Sequence, residues 1–261
     1  MKKLIATLLT LLLTMTLFAG CAGKADAGSD LAYVQKKGTL IVGITDYAPM
    51  DYRDDNGEWT GFDAEFGRLI GEKLGVQVEF FELADWDSKF MELSAKNIDC
   101  IWNGMTISDE VLNNTACSNP YAKNAQVVVM DKARAADYPD AESLKGLRFA
   151  AEKSSTGAQA LDDLGITGYV ETGDQAGALM EVKAGTADAC VIDITMANAM
   201  TGPGTSYESL GSVMELTSEE YGVGFRKDSD LAAKFNELMA GMMQDGSLDA
   251  LAEKYNLTLV K

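Results

Sequence analysis

Histidine is absent from this chain of 261 residues. The absence excludes Ser-His-Asp and Cys-His catalysis, zinc sites ligated by histidine, and haem held by a proximal histidine. Basic residues are also scarce, since 22 Lys and Arg stand against 40 Asp and Glu, for a formal charge of −18. A nucleic-acid-binding protein needs a basic face that displaces counterions from phosphates. We therefore expect no nucleic-acid partner.

Proline and cysteine are few as well. The four prolines form no Pro-rich tract, which argues against a long internal linker. The four cysteines include no C-x-x-C pair, so the sequence predicts no metal site, and we expect no cofactor. Cys190 lies in an apolar run and is expected to be buried. An exported chain can pair Cys100 with Cys117, and the sequence leaves that pairing open.

The N-terminus has the pattern of an export signal. A start with two lysines and no acid precedes an apolar run over residues 4–18, which is short for a bilayer span of ~20 residues. Ala19-Gly20-Cys21 then resembles a bacterial lipobox, although Phe18 stands where an aliphatic or small residue is usual. We predict a signal peptide over residues 1–20 and lipidation of Cys21, for example by palmitate. An ordinary signal followed by a chance cysteine is the alternative.

Cleavage before Cys21 would leave an acidic body on a lipid anchor. Removal of the two lysines of the signal changes the formal charge from −18 to −20. Residues 21–35 are predicted to hold the lipidated cysteine and a flexible tether, because residues 22–30 are small and polar. We therefore expect an exported protein attached by lipid to the outer face of the bacterial cell membrane.

Apolar runs alternate with segments of helical periodicity along most of the chain, which predicts an α/β fold with parallel sheets. The alternation occurs twice, so we expect two similar α/β lobes, followed by helices near the C-terminus. Extended segments at 125–130 and 221–225 are expected to cross between them, and two crossings form a hinge. The predicted strands are 39–44, 76–81, 98–102, 147–151, 168–171 and 189–192, and the predicted helices include 62–74, 156–164 and 174–185.

A ligand site is expected where the two sheets face each other, because ligands of open parallel sheets bind beyond the carboxyl ends of the strands. The residues expected there combine aromatic rings, hydroxyl groups, carboxylates that can hold an ammonium group, and a helix start whose free N–H groups suit a carboxylate. Together they predict a pocket for a zwitterion. These residues are Asp46, Tyr47, Trp86, Asn103, Gly104, Met105, Thr106, Lys153, Ser155, Thr156 and Asp193.

Several short motifs resemble, in order and spacing, those of the extracellular solute-binding proteins of family 3, which serve ABC importers. The resemblance covers about residues 36–256 and implies a two-lobed periplasmic-binding-protein-like (type II) fold with two parallel-core sheets joined by two hinge segments. It implies lobe 1 over 36–124 plus 222–261, lobe 2 over 125–221, and hinge crossings near 122–127 and 219–224. The motifs are Gly61-Phe62-Asp63, Asp85-Trp86-Asp87, Asn103 to Ile107, Ser118 to Tyr121, Ala184 to Asp193, Tyr221 to Gly224 and Asp245 to Leu248.

The resemblance also implies a function: capture of a polar amino acid, or a related zwitterion, and its delivery to a membrane permease. According to this resemblance, Asp193 would hold the α-ammonium group of the ligand. Gly104, Thr106 and Thr156 would contact its carboxylate or ammonium group. We expect no enzymatic activity and a monomeric chain.

The side chain of the ligand would lie between Tyr47 and Trp86 according to the same resemblance, and Lys153 stands where some members have a lysine that contacts the ligand. One departure is clear: Val111 occupies the place of the arginine that clamps the α-carboxylate, so a charge-assisted bidentate contact is lost. Three explanations stay open. Lys153 and the Thr156 amide hold the carboxylate, which we favour; another arginine reaches in; or the ligand lacks a free α-carboxylate. The arginines are Arg53, Arg68, Arg134, Arg148 and Arg226.

Two other functions remain open on the sequence alone. Some dehydratases and glycan-acting enzymes share this fold, and fold does not settle function. A sensor that binds a ligand without transporting it is the other alternative. Turnover of a prephenate-like or glycan substrate would identify an enzyme.

Overall fold

The computed structural model describes residues 28–261. The predicted signal peptide over residues 1–20 and the predicted lipidation of Cys21 lie outside the described residues. Within residues 28–261, no helix combines the length and the apolar character that crossing a membrane requires.

Helices and strands alternate along the chain much as the periodicity predicts. The helices are α1 (Asp30–Lys37), α2 (Phe62–Leu74), α3 (Lys89–Ser94), α4 (Asp109–Asn114), α5 (Thr156–Asp163), α6 (Gln175–Ala184), α7 (Ile194–Met200), α8 (Leu231–Asp245) and α9 (Ser247–Tyr255), with 3-10 turns at Trp86–Ser88 and Lys132–Asp137. The strands are β1 (Thr39–Ile44), β2 (Tyr52–Arg53), β3 (Trp59–Thr60), β4 (Gln77–Glu82), β5 (Cys100–Thr106), β6 (Ala116–Cys117), β7 (Ala122–Asn124), β8 (Gln126–Asp131), β9 (Phe149–Glu152), β10 (Val170–Thr172), β11 (Ala189–Asp193), β12 (Leu210–Glu215) and β13 (Glu219–Phe225).

The strands form two main sheets, each with a parallel core. The first sheet has the order β4-β1-β5-β13-β6, with β7 paired to β13, and the second has the order β10-β9-β11-β8-β12. In the first sheet β1 is parallel to β4 and β5, and β13 runs antiparallel to β5. In the second, β9 is parallel to β10 and β11, and β8 is antiparallel to β11. Two α/β units with parallel cores are therefore confirmed.

The chain passes from one sheet to the other at two places. β7 belongs to the first sheet and β8 to the second, so the first passage is at Ala125. The return lies between Glu215, at the end of β12, and Glu219, at the start of β13. The segments predicted to cross at 125–130 and 221–225 are thus mostly strands within the sheets. The boundaries of the two lobes stay predictions.

Helix α1 lies where a flexible tether was predicted. Ser29 caps it by accepting a hydrogen bond from the backbone N–H of Ala32, and Val34 is fully buried. Asp30 pairs with Arg226, with Nε and Oδ2 2.9 Å apart. Residues 30–35 are therefore part of the packed structure. The predicted tether was extended too far beyond the small and polar residues 22–30, because the partners that hold the helix are about two hundred residues away in the chain.

The cysteines are free thiols in the described residues. Cys190 is fully buried, which confirms the prediction. Cys100 is buried and Cys117 is half-buried, and no bond joins them. The pairing that the sequence left open is therefore absent.

Candidate functional site

A cavity of about 660 Å³ lies between the two sheets. It receives residues from the ends of β1 and β5 in the first sheet and of β9 and β11 in the second. All eleven residues predicted for the site line it, so the structure brings the whole predicted set together. Ligand contact by these residues stays a prediction.

We expected residues 103–106 to follow a strand. In the structure they lie within β5. The strand is longer than the apolar run because β13 pairs with it as far as Thr106. The Asn103 side chain bonds to the end of β1: the Thr45 backbone N–H donates to Oδ1 at 2.9 Å, and Nδ2 donates to the Thr45 hydroxyl at 2.7 Å. Asn103 therefore fixes β1 against β5, a positioning role that its polarity did not indicate.

Gly104 brings the backbone close to the ring of Tyr47. Its φ of +55° lies in the left-handed region, and its backbone N–H donates to Asp63 Oδ2 at 2.6 Å. A Cβ at this position would stand 2.4 Å from Cε1 of Tyr47 and 3.2 Å from Cγ of Met50. Only glycine fits without displacing the Tyr47 ring.

Substitution of Gly104 by alanine is expected to lower the free energy of unfolding by about 1–3 kcal/mol, because it adds overpacking to an unfavourable φ. Urea unfolding of the purified protein measures this. Gly241→Ala is the matched control, since Gly241 lies in α8 and no neighbouring atom stands within 4 Å of the place that an added methyl group would take. A helical Gly→Ala change with open space should stabilise by up to about 1 kcal/mol. Equal effects of the two substitutions would contradict the packing argument.

Tyr47 joins a cluster of three hydroxyl groups that spans the two sheets. Its hydroxyl contacts the Thr195 hydroxyl at 2.5 Å and also bonds to the Tyr221 hydroxyl. Thr195 and Tyr221 complete the cluster with an oxygen separation of 2.8 Å. Thr195 belongs to α7 of the second unit, whereas Tyr47 follows β1 of the first. Burial raises the pKa of Tyr47, so the phenol stays neutral.

Asp193 is a buried carboxylate surrounded by side-chain amides. Oδ2 accepts from Gln175 Nε2 at 2.6 Å, and Oδ1 accepts from Gln126 Nε2 at 2.5 Å and from Asn124. The Asp193 backbone N–H donates to Gln175 Oε1 at 2.8 Å. None of the ion pairs among residues 28–261 includes Asp193. Burial, with the nearby negative charge of Glu219, raises the pKa of Asp193 to about 6.

Glu219 connects the two predicted threonines of the site, Thr106 and Thr156, and was not predicted from the sequence. Thr106 Oγ1 donates to Glu219 Oε2 at 2.8 Å, and Thr156 Oγ1 lies 3.5 Å from the same oxygen. Gln126 Nε2 also donates to it at 3.0 Å. Glu219 begins β13, one of the strands beside a passage between the sheets. The rule that ligands bind beyond the carboxyl ends of parallel strands does not identify such residues.

Lys153 and Ser155 line the cavity but have partners of their own. Lys153 Nζ pairs with Asp87 Oδ2 at 2.8 Å, and both side chains are about half exposed. Ser154 Oγ donates to the other oxygen of Asp87 at 2.7 Å. The hydrogen bond and the charge of Asp87 raise the pKa of Lys153. Ser155 caps α5 by accepting from the Ala158 N–H at 3.1 Å. The ammonium that we favoured for a ligand carboxylate is thus already paired.

Val111 adds no charge to the cavity. It is 3% exposed and packs in an apolar cluster with Trp86 and Met105. No arginine of the described residues lines the cavity. In this structure, therefore, none of the described arginines stands where it could replace the missing one. The five are used elsewhere; Arg226, for example, pairs with Asp30 and Asp99.

Two further charged residues of the cavity lining are buried, and neither was predicted from the sequence. Lys89 is 2% exposed, at the start of α3, and Glu152 is 5% exposed, at the end of β9. Lys89 lies between the apolar residues Trp86 and Phe90, and a lysine at a polar position of a short helix is usually solvated. Glu152 follows directly the predicted end of a strand at residue 151. Neither pattern reveals that the side chain faces a cavity.

Comparison with known proteins gives the family. The sequence profile of the bacterial extracellular solute-binding proteins, family 3, matches residues 40–258. The L-cystine-binding protein TcyJ of Escherichia coli (strain K12) is 29% identical over 251 residues, which cover 93% of this chain and 92% of that protein. A probable amino-acid ABC transporter-binding protein of Haemophilus influenzae is 31% identical over 261 residues, covering 97% of this chain and 96% of the relative.

A solved structure agrees with the fold. The ancestral amino acid-binding protein AncCDT-1, described as a precursor of cyclohexadienyl dehydratase, has a TM-score of 0.80 and 30% sequence identity, covering 87% of this chain and 99% of that chain. The two curated relatives are named as binding proteins rather than enzymes. The chain therefore belongs to the bacterial extracellular solute-binding proteins, family 3, and has their type II periplasmic-binding fold.

Proposed function

We propose that the protein is a lipid-anchored extracellular binding protein that captures a polar amino acid, or a related zwitterion, and delivers it to an ABC permease. The observation that carries the proposal is the Asp193 carboxylate, which is buried in the wall of the cavity with no cation beside it among the described residues. The lipid anchor at Cys21 rests on the sequence of the N-terminus. The transport role agrees with the family of the chain.

Asp193 is suited to an ammonium group. A buried carboxylate is costly unless hydrogen bonds and a positive charge compensate it. Three amide donors occupy part of its acceptor capacity, and a carboxylate has about four lone-pair sites. An ammonium group in the cavity would supply the missing positive charge and fill the remaining site.

The rest of the cavity is suited to an amino acid as well. The first N–H groups of α5, beginning at Thr156, can donate to a carboxylate. Tyr47 and Trp86 provide aromatic walls for the side chain of the ligand. Both aromatic residues belong to the first unit, whereas Thr156 and Asp193 belong to the second. A bound amino acid would therefore contact both units at once.

Closure of the two units around the ligand is part of the proposal. Contacts already cross the cavity: Asp87 binds Lys153 and Ser154, and Tyr47 binds Thr195. Separation of the units would break these contacts, and a ligand that contacts both walls favours the closed form by its difference in affinity. The chain crosses between the sheets at only two places within residues 28–261, as a hinge requires.

A thermal-shift screen of the protein without residues 1–21 tests the function. The panel contains amino acids, their decarboxylated amines, small peptides and dicarboxylates. An amino acid at about a hundred times its Kd should stabilise the protein by about 2.7 kcal/mol. Stabilisation by amines alone, by dicarboxylates, or by nothing in the panel would contradict the proposal. Turnover of a prephenate-like or glycan substrate would favour an enzyme instead.

A further inference from the structure

Two buried side chains of opposite charge face the same cavity without pairing. Lys89 lies on the side of the first sheet and Glu152 at the end of a strand of the second. The ion pairs within residues 28–261 include neither of them. A buried charge without a counterion is costly, and one that lines a cavity can receive its counterion from a ligand.

The ammonium group of Lys89 has few partners in the protein. Nζ donates to the Trp86 carbonyl at 3.2 Å, and it lies 4.8 Å and 4.7 Å from the ring centres of Trp86 and Phe90. Ring faces attract a cation but supply no counterion. An ammonium group has three donors, so two are left for a ligand. Burial lowers the pKa of Lys89, an effect that a bound carboxylate would reverse.

Lys89 can supply the positive charge that is missing at Val111. Both residues line the cavity, and Val111 belongs to the same apolar cluster as Trp86, the aromatic residue over which the ammonium group lies. Lys153, the other cation of the lining, is paired with Asp87 and half exposed. Among the described residues, Lys89 is thus the buried cation that a ligand carboxylate can meet.

The Glu152 carboxyl group makes no hydrogen bond to the described residues. Burial, together with the negative charges of Asp193 and Asp174, raises its pKa well above the ordinary value, and Lys89 opposes this effect. A cation brought by the ligand would stabilise the charged form. Apart from Lys153, the other charged residues of the lining are all acidic. They are Asp46, Asp109, Glu110, Asp162, Asp163, Glu171 and Asp193.

We infer that Lys89 binds the carboxylate of the ligand and that Glu152 binds a cationic group on its side chain, so that the ligand is an amino acid with a positively charged side chain. The inference rests on the proposed function and narrows its substrate class. Asp193 holds the α-ammonium group. Two anionic contacts and one cationic contact then match the two positive groups and one negative group of such a ligand, an agreement of charge that gives specificity.

Isothermal titration calorimetry of the protein without residues 1–21 tests each contact separately. The ligands are L-lysine, L-arginine, L-glutamine and agmatine, which is arginine without its carboxylate. We expect the wild type to bind lysine or arginine at least about tenfold more tightly than glutamine. Glu152→Gln should remove most of that preference by weakening the cationic ligands at least about tenfold, with little change for glutamine.

Lys89→Met should have the complementary effect. It should weaken the binding of arginine at least about tenfold and leave the affinity for agmatine little changed, because agmatine has no carboxylate for Lys89 to bind. Glu142→Gln and Lys145→Met are the matched controls, since these residues form an exposed ion pair outside the cavity lining. Neither control should change an affinity. Far-UV circular dichroism and Tm of each variant identify any that fail to fold.

The outcomes separate this inference from the proposed function. If no amino acid binds the wild type, the proposed function fails. If the wild type prefers glutamine or other neutral amino acids, the function holds and the inference is overturned. It is also overturned if Glu152→Gln keeps the preference for cationic ligands, or if Lys89→Met weakens arginine and agmatine equally.

Discussion

Replacement of Asp193 by asparagine is expected to weaken amino-acid binding at least about a hundredfold. Loss of one charge from a buried, hydrogen-bonded pair costs about 2–5 kcal/mol, and 1.4 kcal/mol is tenfold in affinity. The effect should be large because Asp193 is only 3% exposed, and charged contacts are stronger away from bulk water. Titration calorimetry with the best ligand of the thermal-shift screen measures the change.

The same substitution should leave the folded state intact. In the empty protein the Asp193 charge is uncompensated, so its removal relieves a cost, and the oxygen atom that an asparagine keeps can still accept from the amides of Gln126 and Asn124. Asp137→Asn is the matched control, because Asp137 is exposed and outside the cavity lining. If Asp193→Asn folds and binds within about threefold of the wild type, Asp193 does not hold the ammonium group.

The ligand-free protein is expected to become more stable as the pH falls from about 8 to about 5.5. Burial raises the pKa of Asp63 to about 7, although hydrogen bonds from the Gly104 N–H and the Tyr121 hydroxyl oppose the shift. Asp51, also fully buried, has neither carboxyl oxygen bonded to the described residues, and burial raises its pKa too. Both groups therefore favour protonation in the folded state.

The direction of this pH dependence follows from the difference between the pKa of Asp63 in the folded protein and in the unfolded chain. In the unfolded chain its pKa is near the ordinary value of 3.8, so between that value and about 7 the folded protein binds more protons than the unfolded chain. Stability is gained as the pH falls through 7 and lost as it rises again. For a single carboxyl group the gain from about pH 8 to about pH 5.5 is about 2 kcal/mol. Asp193, with a pKa of about 6, acts in the same direction.

Urea unfolding at several pH values between about 5.5 and 8 measures this dependence. Asp63→Asn should flatten the curve, since the asparagine oxygen can still accept from Gly104 while no proton is exchanged. Glu142→Gln, at an exposed position, should leave the curve unchanged. A wild-type protein whose stability is constant over this range, or an Asp63→Asn variant with the wild-type slope, would contradict the expectation.

Most of the elements were predictable from local patterns. The periodicity of residues 62–74 and Gly75 after them give α2 its observed bounds, and Asp174 caps α6 where the sequence predicts a helix start. Strand β12 was missed, because Leu210–Glu215 has no clean alternation and owes its conformation to pairing with β8. The apolar run at 98–102 stops short of the end of β5 for the same reason: Thr106 is extended because Tyr221 pairs with it.

The site was predictable where backbone topology decides it. All eleven residues predicted from the ends of parallel strands line the cavity. The rule that ligands bind beyond those ends depends only on the order of strands and helices. The rule does not reach Glu219 and Gln126, which lie on antiparallel strands beside the passages between the sheets. Nor does it say whether a charge on a helix faces water or a cavity, and Lys89 was missed on that account. Such orientations depend on tertiary packing.

Helix α1 has a mechanical consequence. Ser29 and Leu31 bond to Asp230 at 2.5 Å and 2.9 Å, and Asp30 pairs with Arg226, so the start of the described chain is fastened next to the end of β13 and the start of α8. A pull on residue 28 is therefore borne by the half of the molecule that contains the first sheet. The other half is connected through the two passages, so a rotation about them, as the proposed closure requires, need not move the point of attachment. Such a movement would thus leave residue 28 stationary with respect to the first sheet.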